Sequence, residues 1–180
     1  MSEEHEKNYL DNGEGFRSWF FTVDHKRIGV MYLWAIGVFF IVAAIASFLL
    51  RAEHLTPGPT IVNADTYNVL FTLHGSMMVF LFIVPGVAAS FGNFLIPLMI
   101  GAKDVIFPKL NLYSFWLYLA GALIFMLALA APADTGWTFY TPYSIETGAN
   151  VILITFGVFV LGFSSILTGI NFIVTMHKLR

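Results

Sequence analysis

The sequence contains no cysteine, and only 11% of its 180 residues are charged. Without cysteine the chain can form no disulfide, no thiolate metal site and no cysteine nucleophile. A soluble domain usually carries about 25% charged residues. No basic cluster of the kind that binds nucleic acid is present either. These absences argue against a soluble enzyme or a nucleic-acid-binding protein and favour a chain built for an apolar environment.

Four long stretches of the sequence are apolar. Hydrophobic residues make up 58% of the chain, and its mean hydropathy is +0.78. Residues 28–50 include no Asp, Glu, Lys, Arg or His, and about 20 such residues suffice to cross a bilayer core roughly 30 Å thick. The pattern predicts an all-α integral membrane protein with four transmembrane helices, at about residues 28–50, 67–100, 110–131 and 149–176.

Two prolines, Pro85 and Pro97, lie inside the second predicted span. Each proline removes a backbone N–H and leaves a carbonyl without its helical partner, so a neighbouring helix has to satisfy that carbonyl. We therefore expect this helix to be bent and packed within protein over much of its surface.

The first 18 residues form a separate, polar and acidic segment. The segment lacks the basic start and apolar stretch of a signal peptide, and we predict a mobile tail at 1–18 followed by a transmembrane domain at 19–180. Four spans place the N-terminus, the second loop and the C-terminus on one side of the membrane, and eight of the nine Lys and Arg residues lie on that side. Only Arg51 lies on the other side. The positive-inside rule then places both termini in the cytoplasm.

Two ionisable side chains near the outer ends of the first two helices are candidates for cofactor binding. His74 lies about 10 Å inside the second span at 1.5 Å per residue, and Gly75 beside it leaves room for a bulky, flat neighbour. A neutral imidazole is a common axial haem ligand, but a histidine hydrogen-bonded across helices would have the same pattern in sequence. Arg51 could bond to a cofactor at that depth or extend its side chain to the interface.

A second group of candidate residues consists of polar side chains within the cytoplasmic half of the spans. Asp104 lies in the loop next to this group. An acid at an aqueous mouth, followed by amides and hydroxyls, suits a water-filled proton path. A structural carboxylate paired with Lys103 or Lys109 explains Asp104 equally well, and Ser and Thr often bond only their own helix. The buried polar residues are Asn93, Asn111, Ser164, Ser165, Thr168 and Asn171.

Eight short stretches resemble subunit I of the haem-copper terminal oxidases in order and spacing, and the resemblance extends over about residues 19–180. The stretches are residues 22–29, 50–53, 71–75, 91–93, 97–104, 107–111, 136–138 and 164–173. The resemblance implies that the four helices form the N-terminal part, about one third, of an oxidase core of about twelve helices.

The resemblance also implies roles in cofactor binding. His74 corresponds to the first axial ligand of the low-spin haem, and Arg51 to an arginine that hydrogen-bonds the formyl group of an A-type haem. Trp137 corresponds to a tryptophan near the haem propionates. Glu53 and Gly58 fall where some members of the family bind a structural Ca²⁺ or Na⁺.

A proton path is implied in the same way. Asp104 corresponds to the acid at the entrance of the family's D-type proton channel, and His25 and Tyr32 lie beside that channel. The residues that correspond to its polar lining are Asn93, Asn111, Ser164, Ser165 and Asn171.

Several parts of the family's subunit do not occur in this sequence. They are the second axial histidine of the low-spin haem, the ligand of the high-spin haem, the copper-binding histidines and the glutamate at the top of the D-type channel. The resemblance therefore implies that oxygen is reduced only with the remaining subunit I helices, supplied by another chain or chains beside subunits II and III. We expect a bacterial plasma membrane rather than a mitochondrial inner membrane.

The leading interpretation is a piece of a proton-pumping oxidase that reduces O₂ to water. A non-enzymatic haem-binding membrane anchor would explain His74 but not Asp104 with its amides, and a transporter or channel bundle would explain the polar path but not the histidine. Within the family, quinol oxidases place a His and a Gln shortly before the haem ligand, where this chain has Thr66 and Val69. That difference favours cytochrome c over quinol as the electron donor.

Overall fold

The computed structural model describes residues 8–10, 15–127, 133–146 and 151–180, and every regular element among these residues is helical. Seven α-helical segments and two π-helical segments follow one another along this part of the chain. They are α1 (Phe16–Phe20), α2 (His25–Glu53), α3 (Ala64–Ser76), π1 (Met77–Ile83), π2 (Gly86–Phe91), α4 (Gly92–Ile100), α5 (Pro108–Leu127), α6 (Tyr143–Glu146) and α7 (Val151–Leu179).

Four helices are long and apolar enough to cross a membrane, and they confirm the all-α, four-span prediction. They are His25–Glu53, Ala64–Ile100, Pro108–Leu127 and Val151–Leu179. The first helix extends beyond the predicted range 28–50 at both ends, because polar residues on either side of the apolar run continue the helix. Parts of the third and fourth predicted helices, residues 128–131 and 149–150, lie outside the described residues.

The four spans run alternately in opposite directions. His25 at the start of α2 contacts Asp104, which lies between α4 and α5. Asn171, near the end of α7, contacts the backbone of Phe107 just before α5. The start of α2, the end of α4, the start of α5 and the end of α7 therefore lie together, and we call this the Asp104 end of the bundle. The opposite end, where α2 leads into α3, is the His74 end.

Local side-chain bonds and one glycine set the helix boundaries. Asp24 precedes α2, and its Oδ1 accepts the backbone N–H of Lys26 at 2.8 Å. Asn63 precedes α3 and accepts the N–H of Thr66 at 2.8 Å. Such caps satisfy N–H groups that the first turn leaves without partners. Gly101 follows α4 with φ 70°, a left-handed conformation that glycine adopts without strain, and so ends the helix before the turn to α5.

Pro85 changes how the second span is wound. The π1 and π2 segments lie on either side of this proline. In a regular α-helix its missing N–H would have bonded to the Leu81 carbonyl, four residues earlier. That carbonyl instead accepts a hydrogen bond from the Tyr118 hydroxyl of α5 at 2.8 Å. A neighbouring helix thus satisfies the freed carbonyl, as the sequence predicted for Pro85, and both partners are buried.

Helices α5 and α7 pack backbone to backbone through two glycines. A Cβ atom on Gly157 would lie 2.8 Å from the backbone nitrogen of Phe125, and one on Gly121 would lie 3.0 Å from the Gly157 carbonyl oxygen. Neither backbone group can move aside as a flexible side chain could. Small residues at such positions let membrane helices approach closely and gain dispersion contacts, so these glycines fix the contact between α5 and α7.

Three residues of the segment before α2 are bonded to α2 through Arg27. The buried Arg27 guanidinium donates to the backbone carbonyls of Tyr9, Leu10 and Ser18 at 2.7, 3.1 and 3.1 Å. It also lies 4.6 Å from the ring centre of Trp19. A buried guanidinium needs acceptors, and these carbonyls supply them. These bonds attach Tyr9, Leu10 and Ser18 to the start of α2, whereas residues 1–7 and 11–14 of the predicted tail lie outside the described part.

The bond between Tyr118 and Leu81 can be tested by removing one hydroxyl. We expect Tyr118→Phe to lower the free energy of unfolding in detergent by about 1–3 kcal/mol, because a buried carbonyl loses its donor. Tyr113→Phe on the same helix is the matched control, since its side chain is exposed. In a Pro85→Ala background, which restores a backbone N–H, the effect of Tyr118→Phe should shrink. Equal effects of the two tyrosine changes would contradict the assignment.

Candidate functional site

His74 is oriented by a single hydrogen bond to the neighbouring helix. Its Nδ1 lies 2.9 Å from the backbone carbonyl oxygen of Ala43 on α2, and the ring is half-buried. A carbonyl oxygen can only accept, so Nδ1 carries the proton and donates it. In a neutral imidazole the lone pair then resides on Nε2, which is the arrangement that metal-ligating histidines use. The histidine is thus both bonded across helices and prepared to act as a ligand.

An indole ring covers the backbone next to His74. A Cβ atom on Gly75 would lie only 2.9 Å from Cδ1 of Trp137, so glycine is needed for this contact. The loop that carries Trp137 is fixed to α3, because the N–H of Gly136 donates to the Thr72 hydroxyl at 2.9 Å. The bulky, flat neighbour expected beside Gly75 is therefore, in this chain, a tryptophan from a distant loop.

Arg51 and Glu53 lie close together in sequence but have different surroundings. Arg51, in the last turn of α2, is exposed and has no hydrogen-bond partner among the described residues. Glu53 is buried, and its carboxylate accepts three backbone N–H groups of the following loop, from Thr60, Ile61 and Val62, at 2.7 to 2.9 Å. Glu53 therefore holds the loop between α2 and α3.

The two residues proposed for a structural cation share one cleft. Glu53 and Gly58 both line it, together with hydroxyl, amide and backbone groups of the same loop. Within the described ranges, no three His, Asp or Glu side chains come close enough to hold a metal ion. A cation here would therefore need backbone or amide oxygens to complete its ligands.

Asp104 is paired with a histidine and not with a neighbouring lysine. Its Oδ1 lies 3.0 Å from Nδ1 of His25 and also accepts the N–H of Val105 at 2.7 Å. Its side chain is 37% exposed. Among the described residues neither Lys103 nor Lys109 forms an ion pair with it, so the pairing with a lysine that the sequence suggested does not occur. The carboxylate is held at the surface end of the bundle and remains open to solvent.

Two asparagines form a buried pair deeper in the bundle. Nδ2 of Asn111 donates to Oδ1 of Asn93 at 2.5 Å, and Nδ2 of Asn93 donates to the Ala89 carbonyl at 2.6 Å. Oδ1 of Asn111 is buried and has no partner among the described residues. A buried acceptor without a protein partner is a place where an ordered water is expected.

A cluster of hydroxyls lies beyond the asparagine pair. The Tyr32 hydroxyl lies 3.3 Å from Oγ of Ser114 and 3.4 Å from Oγ of Ser164, and Ser114 in turn donates to the Asn111 carbonyl at 2.7 Å. Tyr32 and Ser164 line a cavity of about 260 Å³ that is also lined by Thr168. Most of the cavity wall is apolar, so a water in it would have to bond to the hydroxyls of Tyr32, Ser164 or Thr168.

The remaining predicted residues have other surroundings. Asn171 uses both atoms of its amide on the backbone of Phe107, at 3.1 and 3.2 Å, and so holds the turn before α5. Ser165 is exposed on the bundle but lines the cavity. Ser114 is not among the predicted residues, although it follows Asn111 by one helical turn and therefore shares its face of α5.

Known proteins with similar sequences identify the family. The family described as "Cytochrome C and Quinol oxidase polypeptide I" matches residues 27–180. Cytochrome c oxidase subunit 1 of Synechocystis sp. is 43% identical over 162 residues, which cover 89% of this chain and 29% of that protein. The protein of the same name from Thermostichus vulcanus is 40% identical with the same coverage. A probable cytochrome c oxidase subunit 1-beta from Nocardia farcinica is 40% identical over 93% of this chain and 29% of its own length.

The chain thus spans about three tenths of the length of the curated relatives that it matches. The family match covers nearly all of the described helices, and these relatives are well above the identity at which similar sequences share a fold. On these grounds the chain belongs to the cytochrome c and quinol oxidase polypeptide I family.

Proposed function

We propose that this chain is part of the catalytic subunit of a proton-pumping terminal oxidase that reduces O₂ to water. In this proposal the chain contributes one axial ligand of a low-spin haem, His74, and the entrance of a proton path, Asp104. The observation that carries the proposal is the orientation of His74, whose bond to Ala43 uses Nδ1, so that in the neutral ring Nε2 carries the lone pair. The family assignment argues against the two alternatives, a membrane anchor and a transporter bundle.

The surroundings of His74 are those expected of a histidine that binds a haem iron. A neutral imidazole nitrogen is a strong-field axial ligand, and its other nitrogen is usually bonded to a carbonyl, as it is here. The haem itself supplies reversible one-electron transfer at its iron. The chain's part is to fix the ring orientation through Ala43. The second axial ligand, the high-spin haem and copper would belong to the rest of subunit I.

Arg51 and Trp137 support an A-type haem at this end of the bundle. Arg51 is exposed, and its guanidinium has no bond among the described residues that would compete with a haem formyl group. Trp137 lies against Gly75 beside the ligand, with 41% of its surface exposed. Its indole N–H can only donate a hydrogen bond, and a propionate carboxylate of the haem would be a suitable acceptor.

The proton path would begin at Asp104 and continue through groups that have unused hydrogen-bonding capacity. Both hydrogen bonds of Asp104 among the described residues use Oδ1, so Oδ2 is available to water. No hydrogen bond among the described residues joins the pair of Asp104 and His25 to the asparagine pair, so water has to bridge that gap. Beyond it, the free Oδ1 of Asn111 and the hydroxyls of Tyr32 and Ser164 on the cavity wall provide sites for further waters.

The remaining assignments concern donor, partners and membrane. We propose cytochrome c as the donor, because the relatives are named cytochrome c oxidases and because Thr66 and Val69 replace the polar pair of quinol oxidases. The partners would be the remaining subunit I helices and subunits II and III, in a bacterial plasma membrane with the Asp104 end cytoplasmic. A Ca²⁺ or Na⁺ ion between Glu53 and Gly58 is part of the same proposal.

The haem ligand is tested by removing the imidazole. We expect His74→Ala to abolish the low-spin haem band in the reduced-minus-oxidised spectrum of an assembled oxidase, because one of the two axial ligands is lost. His54→Ala is the matched control, since His54 lies near the same end of the bundle and its ring bonds to the Tyr67 hydroxyl. A low-spin band unchanged in His74→Ala would contradict the assignment.

Arg51 is tested through the wavelength of the same band. A guanidinium that donates to a conjugated formyl group draws electron density from the ring and moves its absorption to longer wavelength. We expect Arg51→Met to shift the band to shorter wavelength, and Arg51→Lys to shift it less, because lysine keeps the charge but not the fork of donors. If both variants absorb where the wild type does, Arg51 only extends to the interface.

Asp104 is tested by an amide of the same shape. We expect Asp104→Asn to slow oxygen consumption severely and to suppress proton pumping with the haem spectra intact, because an amide cannot take up and release a proton as a carboxylate does. Asp24→Asn is the matched control at the same end of the bundle, since asparagine caps a helix as well as aspartate. Normal turnover and pumping in Asp104→Asn would make Asp104 an ordinary loop carboxylate.

A further inference from the structure

A groove lies between α1, α2 and α5 on the surface of the bundle, and neither His74 nor any residue of the hydroxyl cluster lines it. Its volume is about 560 Å³, and every side chain that lines it is apolar. The walls include three of the chain's four tryptophans, one on each helix. These are Trp19 on α1, Trp34 on α2 and Trp116 on α5.

The α1 wall of the groove is fixed to the bundle. Phe20 lies against Trp116 with 4.0 Å between ring centres. Trp19 lies over the guanidinium of Arg27, which is itself buried and bonded to three carbonyls. Phe16, Trp19 and Phe20 are spaced as one face of a short helix, and that face lines the groove. The groove is therefore a built feature and not a gap between mobile segments.

Lysines stand at the start of two walls. On α2, Lys26 precedes Val30, Trp34 and Val38 at intervals of four residues, so all four lie along one stripe of the helix. On α5, Lys109 precedes Trp116 by seven residues and shares its face. Both lysines are exposed. The groove is thus apolar along its length and basic at the Asp104 end.

Two acidic groups lie near this basic end, and one of them, Asp104, is already paired with His25. Asp24 is adjacent to Lys26, but one of its oxygens already accepts the Lys26 backbone N–H. Arg17 on α1 is a further exposed cation at this end. Among the described residues beside the groove, cations therefore outnumber acids, and the basic end suits an anionic group.

We propose that this groove binds an anionic phospholipid of the surrounding bilayer, with one acyl chain along α2 and its phosphate at Lys26 and Lys109. The stripe from Lys26 to Val38 is about 18 Å long at 1.5 Å per residue, a length that an acyl chain follows. Tryptophans favour the boundary between headgroups and hydrocarbon, and basic residues there attract anionic lipids.

The wall chemistry favours a lipid over a helix of another subunit. Membrane helices approach each other closely through small residues, as α5 and α7 do at Gly157. The groove instead presents bulky rings, and Trp34 is 74% exposed. A flexible acyl chain adapts to such an uneven wall, whereas a second helix would be held away from it. The lipid site does not depend on the assignments of His74 or Asp104.

The test measures binding of phosphatidylglycerol to the purified, delipidated oxidase complex by native mass spectrometry, with phosphatidylcholine as the zwitterionic comparison. We expect Lys26→Gln with Lys109→Gln to weaken phosphatidylglycerol binding by about fivefold per lysine, because each cation near the headgroup contributes to the attraction. The matched control is Lys103→Gln with Lys178→Gln, which removes two cations at the same end but from neither wall.

A second variant tests the apolar part of the groove. Ala35 lines it with a small side chain, so Ala35→Phe should fill it and displace the lipid while the haem spectrum reports that the complex has assembled. If the charge variant binds phosphatidylglycerol as the wild type does, the groove holds unselective annular lipid and the proposal fails. It fails equally if a photo-crosslinker placed at Val38 links to another protein subunit instead of to lipid.

Discussion

Inside a bilayer, a backbone carbonyl that loses its helical partner must find a donor in the protein, because hydrocarbon offers none. Pro85 frees the Leu81 carbonyl in the middle of the second span, and the Tyr118 hydroxyl donates a hydrogen bond to that carbonyl. The bond joins the second span to α5, which packs in turn against α7 through glycines. The π-helical winding on both sides of Pro85 changes the rotation of the residues that follow. The positions of His74 and Asn93 relative to each other depend on this winding, because they lie on opposite sides of it.

Polarity alone does not decide which buried side chains at the Asp104 end could take part in proton movement. The amide oxygen and nitrogen of Asn171 both bond to the backbone of Phe107, and the Thr175 hydroxyl accepts the N–H of Ile106. Both side chains therefore hold the turn before α5. Oδ1 of Asn111 is different, because it is buried without a partner among the described residues. A group with spare capacity can bind water, whereas a saturated group has to break a bond first. Unused acceptors therefore mark a path better than polar residues do.

The number, order and approximate length of the spans followed from the sequence, because an apolar run must match the bilayer thickness. Contacts between distant segments did not follow. The sequence offered Lys103 and Lys109 as partners of Asp104 because they are its neighbours in the chain, but the structure pairs it with His25, 79 residues away. Likewise, Gly75 predicted a flat neighbour without identifying Trp137. Such contacts depend on how the helices pack and on where a loop lies against them. The spacing of residues along the chain does not contain this information.

For His74 the two interpretations that the sequence left open are compatible with one arrangement. A histidine bonded across helices and a histidine that ligates a metal seemed to exclude each other, but the bond to the Ala43 carbonyl uses Nδ1 and leaves the lone pair of a neutral ring on Nε2. The ring is oriented by a backbone carbonyl of another helix, and any L-residue at position 43 presents the same carbonyl. The orientation of the imidazole therefore depends on how α2 packs against α3 more than on which side chain occupies that position of α2. For this reason the packing of the bundle and the chemistry of its candidate site cannot be considered separately.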